Sequence, residues 1–504
     1  MSNLEALPIE RRRWAMFVIL LVGAFLPPLD FFIVNVALPS IQEDLGTAAS
    51  AEQLVISSYA GLYAVTLITG GRLGDLYGRG RMFFLGLIGF AAASAMCGLA
   101  TSPWVLVAGR ALQGLTAAIM APQALASVQA IFPESEKPLA LSIYGAVFGL
   151  ASVVGQALGG VLISLDVMGL GWRAIFLVNL PIVLLATLFG VPLLRETRAR
   201  QASKLDLLGT LLSVLTLGAL IVPLIEGREA GWPLWSWLTL LAAPILAMQF
   251  WRYETRLHQA GGAPLLNPIA LQTPGLGCAL LVALSFYMIG AFFLLLSIYL
   301  QGALHASALS AGLMFLPFGV GFLLGPLSTT PCKRLLGAYV NPFGMGLEVL
   351  GLLALAWLVT ITPTHPYTPS GQLTLPLFFI GFGQGLALPT LMRMITSRVA
   401  PGLSGMIAGI ASSTLQLSTA LSVAVIGGVF YTLLGARHDE AAIAHAFTVA
   451  LLCIASCLAA GAGLSAMLAR QSRPSASLPA ESSATPCPKN LKRGEPCTTE
   501  SGQN

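Results

Sequence analysis

The sequence predicts an all-α polytopic membrane protein, and three observations carry that prediction. Only 9% of the 504 residues are Asp, Glu, Lys or Arg, against about 25% in an average soluble domain. Hydrophobic residues reach 56%, and mean hydropathy is +0.82. Fourteen stretches are each long and apolar enough to cross the hydrocarbon core as a helix, which takes about 20 residues. A soluble chain of this length needs more charge to cover its surface, and a disordered chain carries far less apolar material. The 53 glycines fit helices that approach closely in a bilayer.

Residues 1–13 end in Arg11-Arg12-Arg13, like the start of a signal peptide. The apolar run 14–38 that follows is too long for a signal core and has no clear small-residue cleavage site, so it is expected to remain as the first span. Further spans are predicted at 53–73, 82–101, 104–131, 138–164 and 173–194, completing a first group of six over 14–194. After a loop at 195–204, two more fall within 205–251, at 205–225 and 234–251. A second loop, 252–272, leads to six spans over 273–468: 273–301, 309–331, 337–360, 371–393, 402–432 and 443–468. These runs are continuously apolar and do not alternate, which argues against membrane strands. The tail 469–504 is rich in Ser, Pro, Thr and Ala without periodicity and reads as disordered.

Charge placement gives the orientation. With the N-terminus inside, all but four of the 26 Lys and Arg fall on the inner face. Arg173, Arg228 and Arg437 are outside, and Arg110 is within a helix. Such a bias is the signature of cytoplasmic loops, so both termini are expected in the cytoplasm. The net charge of +5 is thereby accounted for by membrane topology, and no nucleic-acid partner is needed.

Charge inside a bilayer is costly, so each ionisable residue within a span is a functional candidate. There are three: Asp30, Arg110 and Glu348. Asp30 follows Pro27-Pro28, which remove backbone donors and are expected to kink the first helix; Asn35 lies just over a turn beyond. Arg110 lies between Gly109 and Gly114, with Gln113 three residues on and therefore on the same face. Asp30 and Arg110 are expected to pair, either as a static structural link or as a carboxylate whose proton comes and goes with its pairing. Glu348 shares a helical stripe with Asn341, Gly344 and Gly351, which fits a site or a helix contact equally. The turn after the second span, Gly70 to Arg81, sets Arg72, Asp75, Arg79 and Arg81 among regularly placed glycines. Such a cluster at a helix end can hold neighbouring helices and act as a gate. Small-residue spacing recurs at Gly145/Gly149, Gly155/Gly159 and Gly405/Gly409, as a weak repeat between the fifth helices of two six-helix halves would give.

Other chemistries lack their residues. No Lys follows a Gly, so there is no Walker A motif, and no HExxH occurs. The five His and seven Cys lack metal or redox spacing, and no G-x-S-x-G sits in a strand–turn–helix context. No catalytic residue, metal or cofactor is expected, and a periplasmic adaptor as partner is left open.

Four segments resemble motifs of a known family. Gly71-Arg72-Leu73-Gly74-Asp75-Leu76-Tyr77-Gly78-Arg79-Gly80-Arg81 resembles motif A of the major facilitator superfamily, and Leu106 to Gly114 resembles its motif B. Leu29-Asp30-Phe31-Phe32-Ile33-Val34-Asn35-Val36-Ala37-Leu38-Pro39 resembles the first-helix signature of the fourteen-span drug:proton antiporter branch. Gly171 to Pro181, before the sixth span, is similar to a further signature of that branch. The resemblance covers about residues 14–468. It implies two six-helix bundles around a central cavity, with two extra helices between them, and alternating access by rocking of the bundles. It implies a gate at Gly71, Asp75, Gly78, Arg79 and Arg81, and a proton-coupling group of Asp30, Arg110 and Gln113. The first, fourth, ninth and twelfth helices would line the cavity, offering Phe31, Asn35, Tyr287, Phe292, Phe382 and Gln384, while Glu348 would be peripheral. An apolar aromatic cavity suits lipophilic substrates, and a single acidic group would favour cations.

One segment departs from the pattern. The fifth-helix motif usually carries Gly-Pro before a Gly pair; here it reads Gly155-Gln156-Ala157-Leu158-Gly159-Gly160, which puts Gln156 where the bend-forming Pro would stand. The resemblance implies proton-driven export of lipophilic compounds across the inner membrane. A permease for a sugar or amino-acid-like solute, or a non-transporting membrane sensor, are the alternatives.

Overall fold

The structure, a computed structural model, describes residues 9–46, 48–133, 135–193, 205–266, 268–361, 370–399, 404–435 and 439–471. The loop at 195–204 and nearly all of the tail lie outside them. The described residues are almost wholly helical, and fourteen helices are long and apolar enough to cross a membrane. We number the crossing helices α1 to α14. The first six are α1 (Ile9–Leu45), α2 (Ala49–Tyr77), α3 (Arg79–Gly98), α4 (Pro103–Ile131), α5 (Lys137–Leu165) and α6 (Gly171–Gly190). Two more are α7 (Leu207–Glu229) and α8 (Leu234–Gln259). The last six are α9 (Leu276–Ala303), α10 (Ala308–Leu327), α11 (Val340–Ile361), α12 (Ser370–Thr396), α13 (Ser404–Leu434) and α14 (Glu440–Gln471).

Local chemistry sets several helix ends. Ser102 accepts a hydrogen bond from the Val105 amide at 3.4 Å, and Pro103 follows at the first helical position of α4, where a missing N–H costs nothing. The Asp206 carboxylate caps α7 through the Gly209 amide at 2.7 Å. Gly78 turns the chain between α2 and α3 at φ 108°, a conformation open to glycine. Some helices outrun their apolar stretch. α8 continues past Trp251 to Gln259 because Glu254, fully buried, accepts a hydrogen bond from the Leu266 amide at 2.8 Å. α1 reaches Leu45, and Asp44 near its end accepts from Trp172 Nε1 at 3.0 Å and Arg173 Nη1 at 2.8 Å.

Glycine seams hold each bundle together. A Cβ on Gly114 of α4 would lie 3.1 Å from Tyr59 Cα of α2, and one on Gly70 would lie 3.1 Å from Ile119 Cα. The same helix pair recurs in the second half: Cβ atoms on Gly381 and Gly385 of α12 would lie 2.9 Å and 3.0 Å from Phe318 and Phe322 Cα of α10. α3 on α4 and α11 on α12 form the matching second pair. Lipid provides no hydrophobic drive for helix association, so close backbone packing takes its place.

The two bundles meet along α2 with α13 and along α5 with α10. α5 stays helical through Gln156, the position where the family's bend-forming Pro is absent. Its Gly155 and Gly159 press on α1 at Leu29, Phe32 and Ile33, and Gly160 presses on Ala308 and Leu309 of α10. Gly145, nearer its start, has no side chain or foreign backbone within 4 Å. α7 packs across both α2 and α13, sharing an apolar cluster of Leu54, Ala60, Leu217, Ile221, Ile225, Ala420 and Ala424. α8 packs on α7.

Gly114→Val should lower the thermal stability of the detergent-solubilised protein, because overpacking a tight interface costs about 1–3 kcal/mol. Gly277→Ala, where nothing lies within 4 Å, should leave the melting temperature unchanged in the same fluorescence-monitored unfolding assay.

Candidate functional site

The first bundle encloses a buried polar network. Asp30, Ser94, Arg110 and Gln113 have no solvent exposure, and Asn179 has almost none. Pro27 and Pro28 lie inside α1, one turn before Asp30. Arg110 of α4 donates from Nη1 to Asp30 Oδ2 and, at 2.8 Å, to Gln113 Oε1. Its Nε donates to the Val55 carbonyl of α2 at 3.1 Å. The guanidinium carbon lies 4.3 Å from the centre of the Tyr59 ring, a favourable cation–π position. Asp30 Oδ1 accepts from Gln113 Nε2 at 2.9 Å and from Asn179 Nδ2 of α6 at 3.0 Å. Ser94 of α3 receives a further hydrogen bond from each amide, at 2.8 Å and 3.2 Å. Both charges are thus paired and hydrogen-bonded, the condition under which burial is tolerable.

Asp30, Arg110 and Gln113 come together as one unit. Sequence reasoning missed Ser94, Asn179 and Tyr59 as its partners. Asn179 lies within the segment before the sixth span already marked by resemblance, whereas Ser94 and Tyr59 stand in apolar runs with no distinguishing neighbour. Asn35 is not part of the unit: its amide donates to the Phe31 carbonyl of its own helix at 2.7 Å.

A cavity of about 270 Å³ opens between the bundles. Residues of α1, α2, α4, α5, α9, α10, α12 and α13 line it, so α2, α5, α10 and α13 join the four helices expected. Phe31, Tyr287 and Gln384 are lining residues. Phe292, Phe382 and Asn35 are not: Asn35 is fully buried, its amide bonded within its own helix. The helix of α9 tightens into a 3₁₀ turn at Tyr287–Ile289, which brings residues three apart into register; Tyr287, Gly290 and Phe293 therefore face the cavity, and Phe292 is fully buried beside Phe318. Phe382 stacks on Phe378, ring centres 5.9 Å apart, and its backbone is pressed by Gly321 of α10. Asp30 does not line the cavity either, since Arg110, Gln113 and Asn179 hold it inside the first bundle. The expected cation preference therefore loses its reason: among the described lining residues no side chain is charged.

The cavity lies in the half of the molecule nearer the Arg- and Lys-bearing loops, since Gly23, Ala24, Ala121, Tyr144, Gly145 and Leu388 all sit toward that end of their helices. In the opposite half the bundles are joined. Gln301 Nε2 of α9 donates to the Val36 carbonyl of α1 at 3.0 Å, and Tyr431 of α13 donates its hydroxyl to the buried Glu52 carboxylate of α2. Ser50, beside Glu52, donates its amide to Glu229 of α7 at 3.1 Å.

The residues of the α2–α3 turn take separate places. Arg79 Nη2 pairs with Asp75 Oδ1 at 3.1 Å, one helical turn apart and within the first bundle. Gly71 lies 3.8 Å, measured from its Cβ position, from Pro122 of α4, and Arg81 is exposed at the start of α3. Arg72 turns away to the loop after α8, donating to the carbonyls of Ala263, at 2.7 Å, and Pro264. Glu348 is fully buried in α11 against Gly383 of α12. Its two carboxylate oxygens have no hydrogen-bond partner among the described residues, and it lies outside the cavity lining. Gln156, likewise buried, has both amide atoms without a partner. Among the described residues no group of three His, Cys, Asp or Glu is placed to hold a metal.

A family model described as Major Facilitator Superfamily matches residues 20–423. The chain is 36% identical over 433 residues to a probable actinorhodin transporter of Streptomyces coelicolor, covering 85% of this chain and 74% of that one. It is 37% identical over 443 residues to a puromycin resistance protein of Streptomyces alboniger, covering 85% of each. A multidrug resistance protein of Mycobacterium tuberculosis is 31% identical, with 84% and 77% covered. Among solved structures, a bacterial homologue of the human drug peptide transporters superposes with TM-score 0.66 at 14% identity, over 91% of this chain and 98% of that one. At that identity the likeness is one of fold.

Breaking the buried pair should destabilise the protein more than removing it. Arg110→Met leaves an uncompensated carboxylate, at a cost of about 3–5 kcal/mol. Adding Asp30→Asn to that variant should recover most of the loss, read as melting temperature in detergent.

Proposed function

We propose that this chain, which belongs to the major facilitator superfamily, is a proton-coupled exporter of lipophilic drug-like compounds. In this reading it sits in the bacterial inner membrane with both termini in the cytoplasm. Export is the activity that the names of its antibiotic-transporter and resistance relatives support. The observation that carries proton coupling is the Asp30–Arg110 pair, sealed within the first bundle one residue from Phe31 of the cavity wall.

The cycle follows from that placement. With Arg110 in contact, Asp30 can stay ionised without water. When Arg110 draws back, the carboxylate loses its counter-charge and takes up a proton to remain buried. Arg110 is bonded to the α2 backbone at Val55, one turn from Glu52, and Glu52 is bonded across to Tyr431 of the other bundle. A change in the pairing of Asp30 therefore shifts the helix that seals the bundles on the side away from the cavity. Rocking would break the Glu52–Tyr431 and Gln301–Val36 contacts and expose the cavity to the outside. Reprotonation of Asp30 there resets the cycle, and the membrane potential contributes about 2.3 kcal/mol per charge per 100 mV. Asp75 and Arg79 would steady the inner end of α2 during this movement. The uncharged cavity lining disfavours an amino-acid-like solute, which would bring two charges into it.

Two experiments test the reading. In everted membrane vesicles energised by respiration, the wild-type protein should accumulate a fluorescent drug and release protons as it does so. Asp30→Asn should lose both activities down to the level of vesicles without the protein when compared at matched abundance in the membrane. Full gradient-driven transport by that variant would refute the coupling role. Tyr431→Phe removes a hydrogen bond to a buried carboxylate, worth about 1.5–3 kcal/mol for charged partners. It should lower disulfide formation between Gln53→Cys and Gly427→Cys, placed across the same seam, in a background free of native cysteines.

A further inference from the structure

The cavity carries information about the charge and hydrogen-bonding character of its ligand, beyond general lipophilicity. Tyr59, Tyr63, Tyr144 and Tyr287 line it together with Phe31, Phe32, Phe293 and Phe322. The Tyr59 hydroxyl is used, donating to the Pro27 carbonyl at 2.9 Å. The hydroxyls of Tyr63, Tyr144 and Tyr287 take part in no hydrogen bond among the described residues, although each ring is held in the wall. All three residues line the cavity, so these hydroxyls are donors left free for a ligand.

Acceptors converge on the same space. Pro27 and Pro28 lack the N–H groups that would bond the carbonyls of Gly23 and Ala24 one turn earlier, and Gly23 and Ala24 both line the cavity. Gln384 is 4% exposed, and its Oε1 has no partner, so a buried acceptor at the wall waits for a donor. Gln416 adds a further amide. No charged side chain lines the cavity: Asp30 is bound by Arg110, and Glu348 is fully buried outside the lining, packed on Gly383 of α12. A cation entering from water would find ring faces and carbonyls but no carboxylate, while the three tyrosine donors would stay unmatched.

We propose that the cavity recognises neutral, flat, polycyclic aromatic molecules that carry both carbonyl and hydroxyl groups. The ring faces hold the aromatic body. Tyr63, Tyr144 and Tyr287 donate to ligand carbonyl oxygens, and Gln384 Oε1 with the proline-freed carbonyls of Gly23 and Ala24 accept from ligand hydroxyls. The inference rests on the cavity being the transport site of the exporter proposed above, and it narrows the substrate class of that site.

The test compares two probes on the full-length protein reconstituted in liposomes: a neutral dihydroxyanthraquinone and the tetraphenylphosphonium cation. Binding is read by quenching of the cavity-side aromatic fluorescence, and export by loss from preloaded cells. The dihydroxyanthraquinone should bind at least about tenfold more tightly than the cation. Tyr287→Phe combined with Gln384→Leu should weaken it at least about fivefold without affecting the cation. Equal or tighter binding of the cation overturns the inference, as does cation binding that falls in Glu348→Gln, or a neutral probe indifferent to the double variant. Export of the cation alone would overturn this inference and leave the exporter reading standing. Selective binding of the neutral probe with export of neither compound would refute the exporter reading and leave the cavity chemistry intact.

Discussion

One carboxylate and one guanidinium set the terms for the first bundle. Neither Asp30 nor Arg110 could remain inside a bilayer alone, and the groups that make the pair tolerable come from α1, α2, α3, α4 and α6. Five of six helices are fixed in depth and rotation by a single charge balance. The ring of Tyr59 covers one face of the guanidinium while its hydroxyl bonds the Pro27 carbonyl of α1. The same residue therefore separates the charged network from the cavity and belongs to the wall of both.

The second bundle repeats the helix pairing of the first without its chemistry. α10 and α12 approach through glycines as α2 and α4 do, yet no buried ion pair lies between them among the described residues. The two halves thus share a scaffold and divide the labour. One half holds the buried ion pair, and the other supplies Tyr287, Gln384, Gln416 and Tyr431 to the cavity and the seal. In the proposed cycle, coupling between proton and substrate would run through α2, which touches the charge network, the cavity and the other bundle along its length.

Much of this was legible in the sequence because membrane helices announce themselves. Apolar length and the one-sided arginines located the spans, and the rarity of charge within them singled out Asp30 and Arg110. Their partners were harder to see, since Ser94 and Tyr59 are unexceptional in a membrane helix until packing brings them within reach. Cavity lining failed at Phe292 and Phe382 for a related reason. The resemblance names helices and not the faces they turn inward, and the 3₁₀ turn at Tyr287–Ile289 helps to put Phe293 in the wall where Phe292 was expected. Gln384, flanked by glycines that bring α12 against its neighbours, kept its place. The reach of Arg72 toward Ala263 and Pro264 depends on a chain segment nearly 200 residues away and left no local signal.

The position of α7 has a consequence for how the two halves can move. It rests across the seam between α2 and α13, buried on both through one apolar cluster, and it is tied to α2 by the Thr69–Thr210 hydroxyl contact at 2.6 Å. Any hinge motion that parts α2 from α13 must drag α7 with one of them and slide it over the other. Hydrogen bonds hold it to α2, while on α13 it meets the small side chains of Ala420 and Ala424 and lays Arg228 over the Tyr431 ring at 5.4 Å. The added helix is therefore a strap over the seam: it is fastened on both sides, and parting α2 from α13 strands some of its own apolar face.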